Sequence, residues 1–464
     1  MDNEELRIDN ELRPYDKYKD SGVEWIGNIP CHWKVVRNSI LFREIVDTNH
    51  PELELLSIMC DKGIVKQSST GRKIRMSEDN QTYKKICVGD IGYNLMNAFM
   101  GGIGASKYEG IISPAYAVCR PKVKINSWYY HYLFRTPLYK SEFNKNSYGI
   151  MYERNRLYFD RFKKILSIVP PIEEQVQIVK YLDSQIVKIN KFIKAKKKLI
   201  SVLKEQKQAV INEAVTKGIN PNVKMKPSGI EWIGDIPEHW SVVRNKSVLK
   251  LRKDIVGDNS NKYTLLSLTT KGIIARDIES GKGKFPTDFN TYQVVNINDL
   301  IFCLFDMDET PRTVGLSDLH GMITGAYTVF SVNDTCREYV YYYYLALDQK
   351  KGLKPLYTGL RKIISKEVFL RAKLPYPPEN EQLEIINYIK TKNEKIDFAI
   401  DTIQQEIDLI SEYCARLISD VVTGKVDVRH IEIDDIIDED TDIDETEDEI
   451  IESEEDINIG GSED

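Results

Sequence analysis

No apolar run in this sequence approaches the ~18 residues that a membrane span needs, so a membrane is not expected among its partners. No basic-then-apolar leader opens the chain. The start, MDNEELRIDN, is acidic and polar, and a cytoplasmic location is expected. Cysteine is sparse: Cys31, Cys60, Cys87, Cys119, Cys303, Cys336 and Cys414 are odd in number, and no two stand at Cys-x-x-Cys spacing. That excludes a disulfide framework and a zinc knuckle as expectations, and leaves thiols of a reducing compartment. No Walker-type Gly-x-x-x-x-Gly-Lys-Ser/Thr loop occurs, so nucleotide hydrolysis has no cradle. The cluster Gly101-Gly102-Ile103-Gly104 lacks the third glycine of a dinucleotide loop and runs into Lys107-Tyr108, not into a helix pattern. Asn220-Pro221 is followed by Asn222-Val223, without the stacking aromatic of an amino-methyltransferase tetrapeptide, and reads as a turn. No His-Glu-x-x-His is present, and the chain reads as non-catalytic.

What is present is a repeat. SGVEWIGNIPCHW runs from Ser21 to Trp33 and SGIEWIGDIPEHW from Ser228 to Trp240, with ten of thirteen positions identical at an offset of 207. The same offset relates Pro170-Pro171 and Glu174-Gln175 to Pro377-Pro378 and Glu381-Gln382, and Val215-Thr216 to Val422-Thr423. A period this long is a whole domain with its linker written twice, not a solenoid.

Within each copy, short β-rich runs such as Ala115–Cys119 and Ala326–Phe330 precede one long helical stretch. The Pro-Pro pairs mark where these helices start, and Gly218 and Gly424 where they stop. The second stretch carries a heptad seam, Ile386, Ile389, Asn393, Ile396, Ile400, Ile403, Ile407, Ile410, Cys414, Leu417 and Val421. Subtracting 207 recovers a seam in the first, broken only at Lys196 and Lys207. Shared seams predict an antiparallel coiled coil of rods roughly 65–70 Å long. Matching the helix ends pairs residues whose numbers sum to about 600, which sets Lys207 beside Asn393. The fold class expected is mixed α+β, with two duplicated domains joined by two long helices. The segments expected are 1–20, domain 21–169, helix 170–220, domain 221–376, helix 377–430 and tail 431–464.

The net charge of −7 conceals an asymmetry. Residues 431–464 hold 18 Asp and Glu and no base, and the remainder sets 64 bases against 53 acids, about +11. A basic body suits a polyanion, and the acidic tail should be disordered, either solubilising the chain or competing with DNA for the basic surface.

These residues resemble a known family. The repeated Ser21–Trp33 and Ser228–Trp240 phrases, the Pro-Pro-x-x-Glu-Gln helix starts, and the segments Gly104–Tyr116 and Gly315–Tyr327 make 14–430 similar to the specificity subunit of a type I restriction-modification system. The resemblance implies two target-recognition domains, each reading one half of a split double-stranded DNA target, with the helices as spacer. It implies a subunit that is not itself an enzyme and holds no cofactor. Its partners would be modification (methyltransferase) subunits, two in number, using S-adenosylmethionine, and restriction subunits using ATP and Mg. The acidic tail is outside the family's usual pattern.

Arginine can pair bidentately with guanine, and asparagine with adenine, so basic and amide residues beside flexible glycine are the candidates for DNA contact. In the first domain these are Lys66, Arg72, Lys73, Arg75, Asn94, Asn97, Lys107 and Tyr108, from a cluster that also holds Lys62, Lys84 and Lys85. In the second they are Lys271, Arg276, Lys282, Lys284 and Arg312. The family's Gly-x-Arg before the helix start is kept at Gly359-Leu360-Arg361. The first copy has Gly149-Ile150-Met151 instead, with Arg154 three residues on. Trp25, Trp33, Trp232 and Trp240 are expected in the core. The rival reading is a two-headed coiled-coil adaptor for proteins, which the basic body disfavours.

Overall fold

Both copies of the repeat fold into nearly the same succession of elements, the helix Pro137–Asn146 of the first having no equally long counterpart among the described residues of the second. The structure is a computed structural model that describes residues 12–71, 80–149, 155–276, 289–332 and 337–433. The first copy runs β1 (Lys34–Arg37), β2 (Phe42–Ile45), β3 (Leu56–Met59), β4 (Gly63–Lys66), β5 (Lys84–Ile86), β6 (Ile91–Asn94), β7 (Ile103–Ala105), β8 (Gly110–Ile112) and β9 (Tyr116–Pro121). Helices α1 (Ser127–Phe134) and α2 (Pro137–Asn146), strand β10 (Leu166–Val169) and the 46-residue helix α3 (Ile172–Lys217) complete it. The second copy repeats the plan. It runs β11 (Ser241–Arg244), β12 (Leu249–Leu251), β13 (Leu266–Thr269), β14 (Gly272–Ala275), β15 (Gln293–Val295), β16 (Leu300–Phe302), β17 (Val314–Leu316), β18 (Gly321–Ile323) and β19 (Thr328–Val332). Then come α4 (Arg337–Gln349), β20 (Lys373–Tyr376) and the 44-residue α5 (Glu379–Val422).

Each copy has an antiparallel four-stranded sheet, in the order β2-β9-β6-β7 and β12-β19-β16-β17. Val118 on β9 lies between Ile45 and Gly92, and Val329 on β19 lies opposite Ile301. Two smaller pairs accompany each sheet, the hairpins β3-β4 and β13-β14 and the pairs β5-β8 and β15-β18. Even single bridges recur, as Leu55 with Ile111 and Leu265 with Met322. Trp33 and Trp240 are fully buried, while Trp25 and Trp232 pack half-buried against the same cores.

The described residues form two compact units. One takes in the residues up to Lys196 and from Gln405 on, the other Lys197–Gln404. Each long helix is thus shared between units. In the first unit the start of α3 meets the end of α5: Gln177 donates to the carbonyls of Val428 (3.1 Å) and Ile431 (2.8 Å), and Lys196 bonds Glu406 at 2.7 Å. In the second, Lys207 reaches Asp397 at 2.6 Å. The first-unit contacts run in opposite numerical sense, so the helices pair antiparallel there, as the seam predicts. The pairs Lys196–Glu406 and Lys207–Asp397 sum to 602 and 604, close to the expected register, and Asp397, one turn from Asn393, takes the Lys207 ammonium. A carboxylate neutralises it, as a neutral amide cannot.

The helix ends obey local rules. Glu173 and Glu174 in the first turn of α3, and Glu379 and Glu381 in that of α5, suit the positive end of the helix dipole. Gly218 and Gly424 stop them at φ +78° and +79°. A Cβ on Gly424 would lie 2.8 Å from the Trp33 ring, so the stop is also a packing site. Of the tail expected from 431, residues 431–433 are described. Ile431 is buried and Ile433 packs on the first core, because their apolar side chains continue the surface that Val428 covers. The rest of the tail lies outside the described residues.

Candidate nucleic-acid interface

The repeated phrase and the helix start meet in both units. His32 bonds Glu174 and His239 bonds Glu381, each at 2.7 Å, while Gln175 and Gln382 close onto the carbonyls of Pro170 and Pro377 at 2.9 Å. Tyr15 adds its hydroxyl to Glu174, and burial together with that carboxylate pushes the phenol's pKa up. These conserved-in-duplicate contacts fasten helix to domain. They leave the strand hairpins and the loops between them as the parts that differ.

The hairpin β3-β4 turns through Cys60, Asp61 and Lys62, with Lys62 exposed. Lys66 at its end bonds Glu54 at 3.1 Å and lies 5.4 Å from the Tyr108 ring, so the structure brings the candidates Lys66 and Tyr108 together. Lys107 is exposed, 5.4 Å over the Trp128 ring. Asn94 spends its Oδ1 on the backbone of Met96 at 3.0 Å, and Asn97 closes the same loop through its backbone. That loop ends at Gly101, against the hairpin turn: a Cβ there would come 2.9 Å from the Cys60 carbonyl. Two of the basic cluster serve the protein. Lys84, its pKa lowered by burial, donates to the Tyr116 carbonyl at 2.6 Å, and Lys85 pairs with Glu109.

In the second unit Lys271 is exposed in the turn of β13-β14, and Arg276 follows β14 directly. Arg312 donates to the Thr270 carbonyl at 2.9 Å. Arg361 pairs with Asp306 at 2.7 Å beside the Phe305 ring, and that guanidinium holds the Asp306 carboxyl below its usual range. Arg72, Lys73, Arg75, Arg154, Lys282 and Lys284 lie outside the described residues.

Sequence reasoning missed, in each unit, a buried aspartate paired with a partly exposed arginine. Asp90 bonds Arg120 at 2.8 Å, and Asp299 bonds Arg252 at 2.8 Å. It also missed His131 and Arg135, which stand against the first hairpin. Asp90 and Asp299 each precede an apolar strand, but nothing in one sequence marks them as buried. Among the described residues no group of His, Cys, Asp and Glu is arranged to hold a metal ion, and no helix is long and apolar enough to cross a membrane.

Residues 67–202 match the family model described as Type I restriction modification DNA specificity domain. Over 439 residues the chain is 25% identical to the putative type I restriction enzyme MjaX specificity subunit of Methanocaldococcus jannaschii, covering 87% of this chain and 96% of that one. The chain is thus similar to the specificity subunits of type I restriction-modification systems. It is also 26% identical to the MjaVIII specificity subunit of the same organism over 298 residues, which is 58% of this chain and 64% of that relative's length. A solved structure described as the structural basis of complex assembly and conformational transition of the type I R-M system has the same fold. Its TM-score is 0.60 at 13% identity, covering 86% of this chain and 99% of that one.

Proposed function

We propose that this chain is the DNA-reading subunit of a type I restriction-modification complex. Each unit reads one half of a bipartite target, and the paired helices set the spacing and dock the methyltransferase subunits. The observation that carries this is the duplicated hairpin platform: one topology twice, with exposed basic turns, and with different residues between shared landmarks. A reader of two half-sites needs that combination, because the scaffold must persist while the base-reading side chains change. The basic body supports it, since phosphate contacts supply most of the affinity for a duplex. Catalysis then belongs to the partners, with S-adenosylmethionine, ATP and Mg bound there.

The test is an exchange. Replacing 40–160 by the corresponding segment of a relative should change one half of the methylated motif, read by methylome sequencing of a host carrying the system, and leave the other half intact. A change in both halves would sink independent reading. Absence of any salt-dependent DNA binding would favour the protein adaptor.

A further inference from the structure

We propose that Arg135 and Arg312 are positioning residues for the two reading hairpins, each pinning a hairpin turn to the helix behind it; this rests on the DNA-reading function proposed above. Arg135 caps the C-terminus of α1. Its Nη2 donates to the Cys60 carbonyl at 3.0 Å and to that of Asp61, and its Nη1 to His131 Nε2 at 3.0 Å. The other ring nitrogen, Nδ1, faces the Ala105 backbone N–H at 3.3 Å, so the imidazole meets a donor on each side. Burial, with Arg135 and Lys107 nearby, keeps the ring neutral, its pKa pushed down to about 3. A neutral ring is what an arginine neighbour requires.

The backbone makes room for this seat. A Cβ on Gly63 would fall 2.8 Å from His131 Cε1 and 3.3 Å from Arg135 Nη1, and one on Gly104 would fall 2.7 Å from His131 Nδ1. Gly104 ends the glycine cluster that suits no nucleotide. Its use is to let a strand and a hairpin close on one imidazole.

The second unit meets the same need with other residues. Tyr129 and Tyr339 are counterparts, their hydroxyls donating to Val422 and Val215, two carbonyls 207 residues apart. Two residues on, His131 therefore corresponds to Tyr341. Arg312 donates from Nη1 to the Tyr341 hydroxyl at 3.4 Å and from Nη2 to the Thr270 carbonyl at 2.9 Å, in the turn that matches Cys60–Lys62. The arginines are not counterparts: one ends a helix, the other precedes β17. Two origins converging on one turn carbonyl indicate that the turn's position is what both units need. A two-stranded hairpin is marginal alone, and base reading fails when a side chain is displaced by about 1 Å. The turns so held carry Lys62 and Lys271, both exposed.

The test uses the full chain assembled with its modification subunits, and duplexes carrying the methylome-defined target or a scramble of either half. R135M should reduce discrimination at the half read by the first unit about tenfold and leave the other half and fully scrambled DNA unaffected. R312M should do the mirror image. Lysine at either position should restore no discrimination, since one ammonium cannot span both partners. Y341F, which removes one hydroxyl and keeps the ring, should give a smaller loss in the same half as R312M. It keeps the test open if an arginine variant fails to fold. Equal discrimination by R312M or Y341F and the wild type would overturn the proposal, as would a loss spread over scrambled DNA, the mark of a simple phosphate contact. If the wild type prefers no bipartite duplex at all, the DNA-reading function itself fails.

Discussion

At the scale of single residues, the two units solve one electrostatic problem with different side chains. Asp90 and Asp299 each end a turn before the central strand, are almost fully buried, and accept a backbone N–H three residues back. A carboxylate so placed needs a cation. Arg120 on β9 supplies it in the first unit. In the second, the matching strand position is Ser331, and Arg252 arrives from the end of the neighbouring strand β12, at the position equivalent to Ile45. Arg120→Ala should therefore cost about 3 kcal/mol in urea unfolding, because it strands a buried charge. Adding Ile45→Arg should recover part of that loss by copying the second unit's solution. No recovery would show that the two strand positions are not interchangeable.

At the scale of elements, the helix seam is apolar with polar interruptions that differ in fate. Lys196 and Lys207 reach carboxylates and remain partly exposed, so each pair contributes well under about 1 kcal/mol. Asn393 has no such outlet: its Oδ1 is buried without a hydrogen-bond partner, as is Gln208 Nε2 in the same unit. Asn393→Ile should therefore raise stability by about 1 kcal/mol, seen as a higher denaturation midpoint, while weakening the polar mark that fixes register. A fall in the midpoint would mean the amide is satisfied in solution.

At the scale of the whole chain, charge is distributed unequally. The residues beyond Ile433 include 17 Asp and Glu and no base. Deleting 434–464 leaves the packed Ile431 and Ile433 in place and makes the protein strongly basic. If those acids compete with phosphate for the reading surface, non-specific DNA binding should tighten, most at salt low enough for the Debye length to exceed ~10 Å. Specific contacts would persist, so the ratio of specific to non-specific affinity should fall. Affinities measured at two salt concentrations decide it: equal values at low salt would leave the acids a solubilising role alone.

The sequence by itself determined the duplication, the helix starts at Pro171 and Pro378, the stops at Gly218 and Gly424, and the antiparallel seam. All of these depend on neighbours along the chain or on a period that a helix imposes. It also marked Trp33 and Trp240 as core. Tertiary structure alone decided that Tyr129 closes onto Val422, 293 residues away, and that Lys207 answers Asp397 and not Asn393. It alone decided which arginine neutralises each buried aspartate, and that Arg312 faces a turn carbonyl of its own unit. Charge and spacing cannot distinguish an arginine that reads DNA from one that holds a hairpin. The difference lies in which carbonyls the fold brings within 3 Å of its guanidinium.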